Sequence, residues 1–150
     1  MSQIVLVFGD SIVMGLWDER GGWPERLWNG HRMNSGHRVD LAKYIRNMED
    51  MIDRAREGFT RRIICVGLAP IDQSKSVQFL LERTISFFSA DQREYDSALE
   101  TVCRRKRVRH VSLRDLKFEN HLLEDGVHPL SSGHAMIADR VLEAIDQLDK

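Results

Sequence analysis

Ile4-Val5-Leu6-Val7-Phe8-Gly9-Asp10-Ser11 is a continuous apolar, β-branched run that stops at a glycine and delivers a serine. Such a run suits a parallel strand buried on both faces, because it has no polar face to offer water. Ile63-Ile64-Cys65-Val66 repeats the pattern, and Val108 to Leu113 reads as a third short strand. The spacing predicts strands at about 3–8, 62–67 and 108–112. Between them the hydrophobic period changes. Leu41, Tyr44/Ile45, Met48, Ile52 and Ala55 recur at helical intervals, and Gly58 stands where a glycine just past a helix end belongs. Trp23 to Trp28 can start a short helix at Pro24. Strands alternating with helices indicate an α/β fold with a parallel sheet. Three strands are few, since sheets usually have ~4–6.

The second half reads the same way. Pro70 opens a loop through Ser76, and Val77 to Phe88 is apolar and amphipathic, hence helical. Ser89 with Gln92 three residues on has the form of a capping box. Tyr95, Leu99 and Val102 carry a helical stripe to about Arg105. Lys117 to Glu124 reads as a further helix, and Asp125 to Ser132 as a loop. Ile137, Val141, Ile145 and Leu148 give the last helix one apolar face. No repeat, linker or low-complexity segment interrupts the 150 residues, which suit one domain, 1–150.

Composition narrows the function. The chain is 42% hydrophobic and 30% charged with a formal net charge of −1, which gives no global attraction to nucleic acid or anionic membranes. No apolar run reaches the ~18 residues of a membrane span. The first residues read as a strand and not as a signal peptide, so the expected location is cytoplasmic. Cys65 and Cys103 sit in apolar elements without metal spacing and read as reduced core residues. His31, His37, Asp40 and Asp72 form no metal-binding pattern, and neither metal nor cofactor is expected. Arg104-Arg105-Lys106-Arg107, with Arg109 and His110, reads as a solvated helix end where cations favour the dipole, so no nucleic-acid partner is expected.

Two constellations could do chemistry. Ser11 follows a buried strand and a tight-turning glycine, so its N–H can donate to a developing oxyanion and its hydroxyl can attack a carbonyl. The alternative is that Asp10 and Ser11 only cap a turn. Asp125-Gly126-Val127-His128-Pro129 is the second. Serine chemistry needs a base near neutral pKa, and a neighbouring carboxylate fixes the imidazole tautomer. A surface loop with an ordinary His is the alternative. His134, in the first turn of the last helix, reads as a capping or surface residue.

Taken together, these blocks resemble the SGNH/GDSL serine esterases. Leu6 to Ile12 with Gly15-Leu16-Trp17-Asp18 and Gly21-Gly22-Trp23 is similar to the first block of a small-esterase branch. Val66 to Asp72 resembles the late central strand and its loop. Leu122 to Pro129, with Ser131, Gly133 and His134, resembles the last block. The resemblance covers residues 4–28 and about 37–150. It implies a three-layer α/β/α flavodoxin-like sandwich with a reduced parallel sheet. It implies hydrolysis of small carboxylic esters or thioesters through an acyl-serine, with Ser11 as nucleophile, His128 as base and Asp125 as its orienter. Ser11 N–H would be one oxyanion donor. Asp10 and Trp17 would border the substrate, although Trp17 and Trp23 could equally pack the first helix on the sheet.

The family draws two more oxyanion donors, a glycine N–H and an Asn side chain, from blocks that should lie between the first block and the helix at Asp40. Here that interval, about 29–39, is too short to hold them. Losing one such donor costs roughly 3–4 kcal/mol, or ~10²–10³ in rate. Asn34 is the candidate replacement, with Asn29 behind it; the alternative for Asn34 is a loop residue favouring turn conformations. The shortening motivates the rival readings, a catalytically impaired descendant that serves as a binding module or a truncated product. A lost central strand would leave edges open to pairing, from which a homodimer is expected.

Overall fold

The computed structural model describes residues 7–8, 39–79, 88–117 and 120–148. They form an α/β fold around a small parallel sheet. In chain order the elements are β1 (Val7–Phe8), α1 (Leu41–Gly58), β2 (Ile64–Val66), α2 (Gln73–Phe79), α3 (Ser89–Lys106), β3 (Arg109–Val111) and α4 (Ser131–Leu148). The strand order is β1-β2-β3, with β2 paired in parallel to both neighbours. Val7 lies opposite Ile64 and Phe8 opposite Cys65; Ile64, Cys65 and Val66 face Arg109, His110 and Val111. Single hydrogen bonds extend the β2–β3 pairing at each end, Arg109 N–H to Ile63 O (3.3 Å) and Gly67 N–H to Val111 O (2.8 Å).

The four-residue apolar run 63–66 is buried throughout because successive side chains meet different helices. Ile63 and Cys65 pack with Met48, Ile52 and Ala55 of α1 and with Leu99, Val102 and Cys103 of α3. Ile64 and Val66 pack with Val111, Leu113 and Ala144, and Ile137, Val141 and Ile145 of α4 close over them. A strand with no solvent face has no use for alternation, which is why the sequence shows none. Cys65 and Cys103 are buried free thiols in the first of these cores.

Local chemistry sets the helix ends. Asp40 caps α1 by accepting from Lys43 N–H at 2.8 Å. Gly58 is the last residue of α1 and does not adopt the left-handed conformation its position suggested; Phe59 and Thr60 close the helix instead, both donating N–H to Ala55 O. Arg107 ends α3 in the left-handed conformation, φ 53°. The basic cluster at this end is more than a solvated helix terminus: Arg105 pairs with Glu49, Lys106 with Asp53 (2.5 Å), and Arg56 donates to Lys106 O. These pairs tie α3 to α1, and Tyr44 and Tyr95 meet further along the same seam with ring centroids 5.0 Å apart.

β2 and β3 are shorter than the expected 62–67 and 108–112, and three further expectations are corrected. α2 begins at Gln73 and not at Val77, because Asp72 Oδ1 accepts from Ser74 N–H (3.1 Å) and starts the helix earlier. The Ser89 capping box does not form. Ser89 is already helical, its N–H donates to Gln73 Oε1 (3.0 Å), and Gln92 turns away to donate to Leu68 O (3.0 Å). No helix spans Lys117 to Glu124 among the described residues. The backbone there pairs across a loop instead, with Leu122 bridged to Pro129 and Leu130 N–H donating to His121 O (2.7 Å).

Gly67, just beyond β2, is buried where the sheet meets α3. A β-carbon there would stand 2.6 Å from Asp96 Oδ1, 3.0 Å from His110 Nε2 and 3.2 Å from Val111 O. Overpacking a tight interior costs about 1–3 kcal/mol. Gly67→Ala is therefore expected to lower the urea midpoint without changing the slope; an unchanged midpoint would show that the neighbours give way freely.

Candidate active site

The loop from His121 to Leu130 is a closed turn. Leu123 N–H donates to His128 O (2.8 Å), Gly126 N–H to Leu123 O (3.0 Å), and Leu130 N–H to His121 O. Inside it Asp125 and His128 are in contact. Asp125 Oδ2 meets His128 Nδ1, while Asp125 Oδ1 accepts from the N–H of Val127 (2.9 Å) and of His128 (3.0 Å). The sequence Asp-Gly-x-His thus makes an Asx-type turn in which one carboxylate oxygen holds the backbone and the other holds the ring.

Burial alone would raise the Asp125 carboxyl, but the two backbone donors and the imidazole outweigh it and hold it below the ordinary carboxylate range. An ionised carboxylate only accepts, so the proton between the two groups belongs to His128 Nδ1. In the neutral imidazole that leaves Nε2 with a lone pair, the arrangement a general base requires. The His128 side chain is 29% exposed against 15% for Asp125, so the imidazole is more open to solvent than the carboxylate that holds it.

This loop lies at the carboxyl edge of the sheet. Asp72, at the end of the loop that leaves β2, donates its N–H to Gly126 O at 2.8 Å. Because β1 is parallel to β2, its carboxyl end at Phe8 points to the same edge. Asp10, Ser11, Trp17 and Asn34 themselves lie outside the described residues, as do Trp23, Asn29, His31 and His37. His134 is exposed on the first turn of α4, with its N–H donating to Leu130 O, and does not join the Asp125–His128 pair. Asp72 serves as the cap of α2, and no metal-binding cluster occurs among the described residues. No described helix is long and apolar enough to cross a membrane.

No family model matches the chain, and no curated protein matches it. Its structure is similar to that of LAE5, an alpha/beta hydrolase enzyme from the metagenome of Lake Arreo, Spain. The TM-score is 0.57 at 16% sequence identity, covering 93% of this chain and 57% of that one. A likeness at that identity speaks for an α/β fold. The chain spans little more than half of that enzyme.

A polar centre that the sequence reading did not single out lies beside this edge. Asp96 of α3 is fully buried and accepts from Leu68 N–H (2.9 Å) while pairing with Arg114 Nε. His110 Nε2, buried and without a hydrogen-bond partner, stands 3.7 Å from Asp96 Oδ1. Burial pushes the Asp96 carboxyl up, but His110, Leu68 N–H and Arg114 together hold it below its ordinary value. The signal was present in the helical period: positions 96, 99 and 103 share a face, so an Asp stands on the apolar stripe of Leu99 and Cys103. A charge on a buried stripe implies a partner, though not which one.

Proposed function

We propose that this chain is a serine hydrolase of the SGNH/GDSL type, with a three-layer α/β/α flavodoxin-like architecture, that cleaves small carboxylic esters or thioesters. The Asp125–His128 pair carries this reading, since it is an imidazole held by a carboxylate at the sheet edge to which the carboxyl end of β1 points, and Gly9-Asp10-Ser11 follows β1 in the sequence. In the mechanism Ser11 Oγ attacks the carbonyl carbon as His128 Nε2 takes its proton. The Ser11 N–H donates to the resulting oxyanion, with Asn34 as the candidate second donor. Collapse of the tetrahedral intermediate expels the alcohol or thiol, which receives the proton from His128. Water, deprotonated by the same imidazole, then hydrolyses the acyl-serine. Asp10 and Trp17 would border the substrate. No cofactor enters this scheme.

A second reading, a non-catalytic descendant that binds without turnover, is favoured by the short interval 29–39. A fluorophosphonate probe decides between them, because it reacts only with a serine whose base is in place. Labelling of the parent, and of neither Ser11→Ala nor His128→Ala, is the expected result. A cooperatively folded parent that takes no label would overturn the hydrolase reading in favour of binding.

A further inference from the structure

Gln92 and Asp96 stand one turn apart on α3 and hold Leu68 from both sides. Asp96 Oδ1 accepts the Leu68 N–H at 2.9 Å, and Gln92 Nε2 donates to the Leu68 carbonyl at 3.0 Å. Both polar backbone groups of the residue that leads away from β2 are therefore committed to α3. Few joints between Leu68 and Asp72 are free. Ala69 packs against the core beneath α4, and Pro70 has a locked φ and restricts the residue before it. Asp72 is pinned at the end as the cap of α2, and its N–H holds Gly126 O at 2.8 Å. Gly126 is the neighbour of Asp125. One chain of short contacts thus runs from α3 through the 68–72 loop to the carboxylate that orients His128.

We propose that Gln92 and Asp96 are positioning residues for His128: by fixing Leu68 they fix Asp72, and so set where Asp125 meets the imidazole. The role in turnover rests on the hydrolase reading above, but the geometric claim does not. The helix supplies the platform, since Leu99, Val102 and Cys103 pack it against Ile63 and Cys65. Asp96 is the costlier grip, because it is buried with Arg114 and His110 around it. Gln92 is the cleaner probe, because it is only half-buried and touches the loop through one hydrogen bond.

The test uses the full chain with Gln92→Glu, which keeps the shape and replaces the donor by an acceptor. Gln92→Met, an apolar replacement without a donor, serves if the first variant does not fold. Thermal melts establish folding. Long-range ¹⁵N–¹H correlation spectra of the His128 ring then report which nitrogen carries the proton. The parent is expected to hold it on Nδ1, and the variants to shift toward the Nε2–H form of a loosened imidazole. Where the parent reacts with the fluorophosphonate, labelling should slow by about 10-fold or more, since small misplacements of a reacting group cost up to ~10², and ester kcat should fall with KM unchanged. Ring shifts identical to the parent in a folded variant would overturn the proposal. A parent that takes no label would remove the hydrolase reading alone, leaving the ring spectrum to decide the positioning.

Discussion

Asp125→Asn is expected to fold and to lose about 10⁴-fold in kcat on a para-nitrophenyl ester. The substitution leaves Oδ1 free to accept from Val127 and His128 N–H, so the turn survives. What changes is the atom facing the ring. An amide NH₂ in place of Asp125 Oδ2 donates, which obliges His128 Nδ1 to accept and moves the imidazole proton to Nε2. A ring protonated there cannot take the Ser11 proton. Wild-type kcat in the variant would show that Asp125 does not orient a catalytic base.

The pH dependence of stability follows from the same contacts. The Asp125 carboxyl is held below its unfolded value, so its contribution to stability is complete above the unfolded carboxylate pKa. That contribution is lost as pH falls through the lower, folded value. The Asn variant has no such group to titrate, and its acid unfolding curve should therefore be flatter than the parent's in that window.

Gly126→Ala is expected to destabilise the chain by about 3 kcal/mol, adding a left-handed backbone penalty to an overpacking cost. Gly126 has φ +69°. A β-carbon there would run into the carbonyl oxygen of Asp72 and stand 2.8 Å from Lys75 Cβ and 3.1 Å from Ser76 N. Backbone atoms cannot swing aside as a long side chain can, so the two loops must separate. The melting temperature should fall by roughly 10 °C, at ~2–4 °C per kcal/mol for a chain of this size. Any activity should fall further than the loss of folded protein explains, because Asp125 adjoins the strained residue. A melt within a degree of the parent would mean that the loop accepts a side chain and that the close approach to Asp72 is not required.

Much of this arrangement is legible in particular residues. Ile63 to Val66 announces a doubly buried strand because every side chain is apolar, and β2 is that strand. Leu41, Ile45, Met48, Ile52 and Ala55 announce α1 because only a helix brings those intervals to one face. Asp125 and His128 are readable as partners because three residues and a glycine are enough for a carboxylate to return to an imidazole, a contact made entirely within one turn.

The misreadings share a cause, competition from distant partners. Ser89 and Gln92 have the spacing of a capping box, yet Gln73 and Leu68 claim their hydrogen-bonding groups from other elements. Lys117 to Glu124 reads as a helix, but Leu122 gains a backbone partner in Pro129 only when the chain folds back. The basic run at the end of α3 reads as a solvated patch until Glu49 and Asp53 of α1 lie beside it.

The sequence by itself therefore determined what depends on neighbours along the chain: the helical and strand periods, the α/β alternation, and the Asp125–His128 turn. Only the tertiary structure decided what depends on contacts across tens of residues. It placed Asp96 against Leu68 and Arg114, and it strapped Gly126 to Asp72. Those choices turn on charge burial and backbone satisfaction between separate elements, and a one-dimensional pattern states the need for a partner without stating its address.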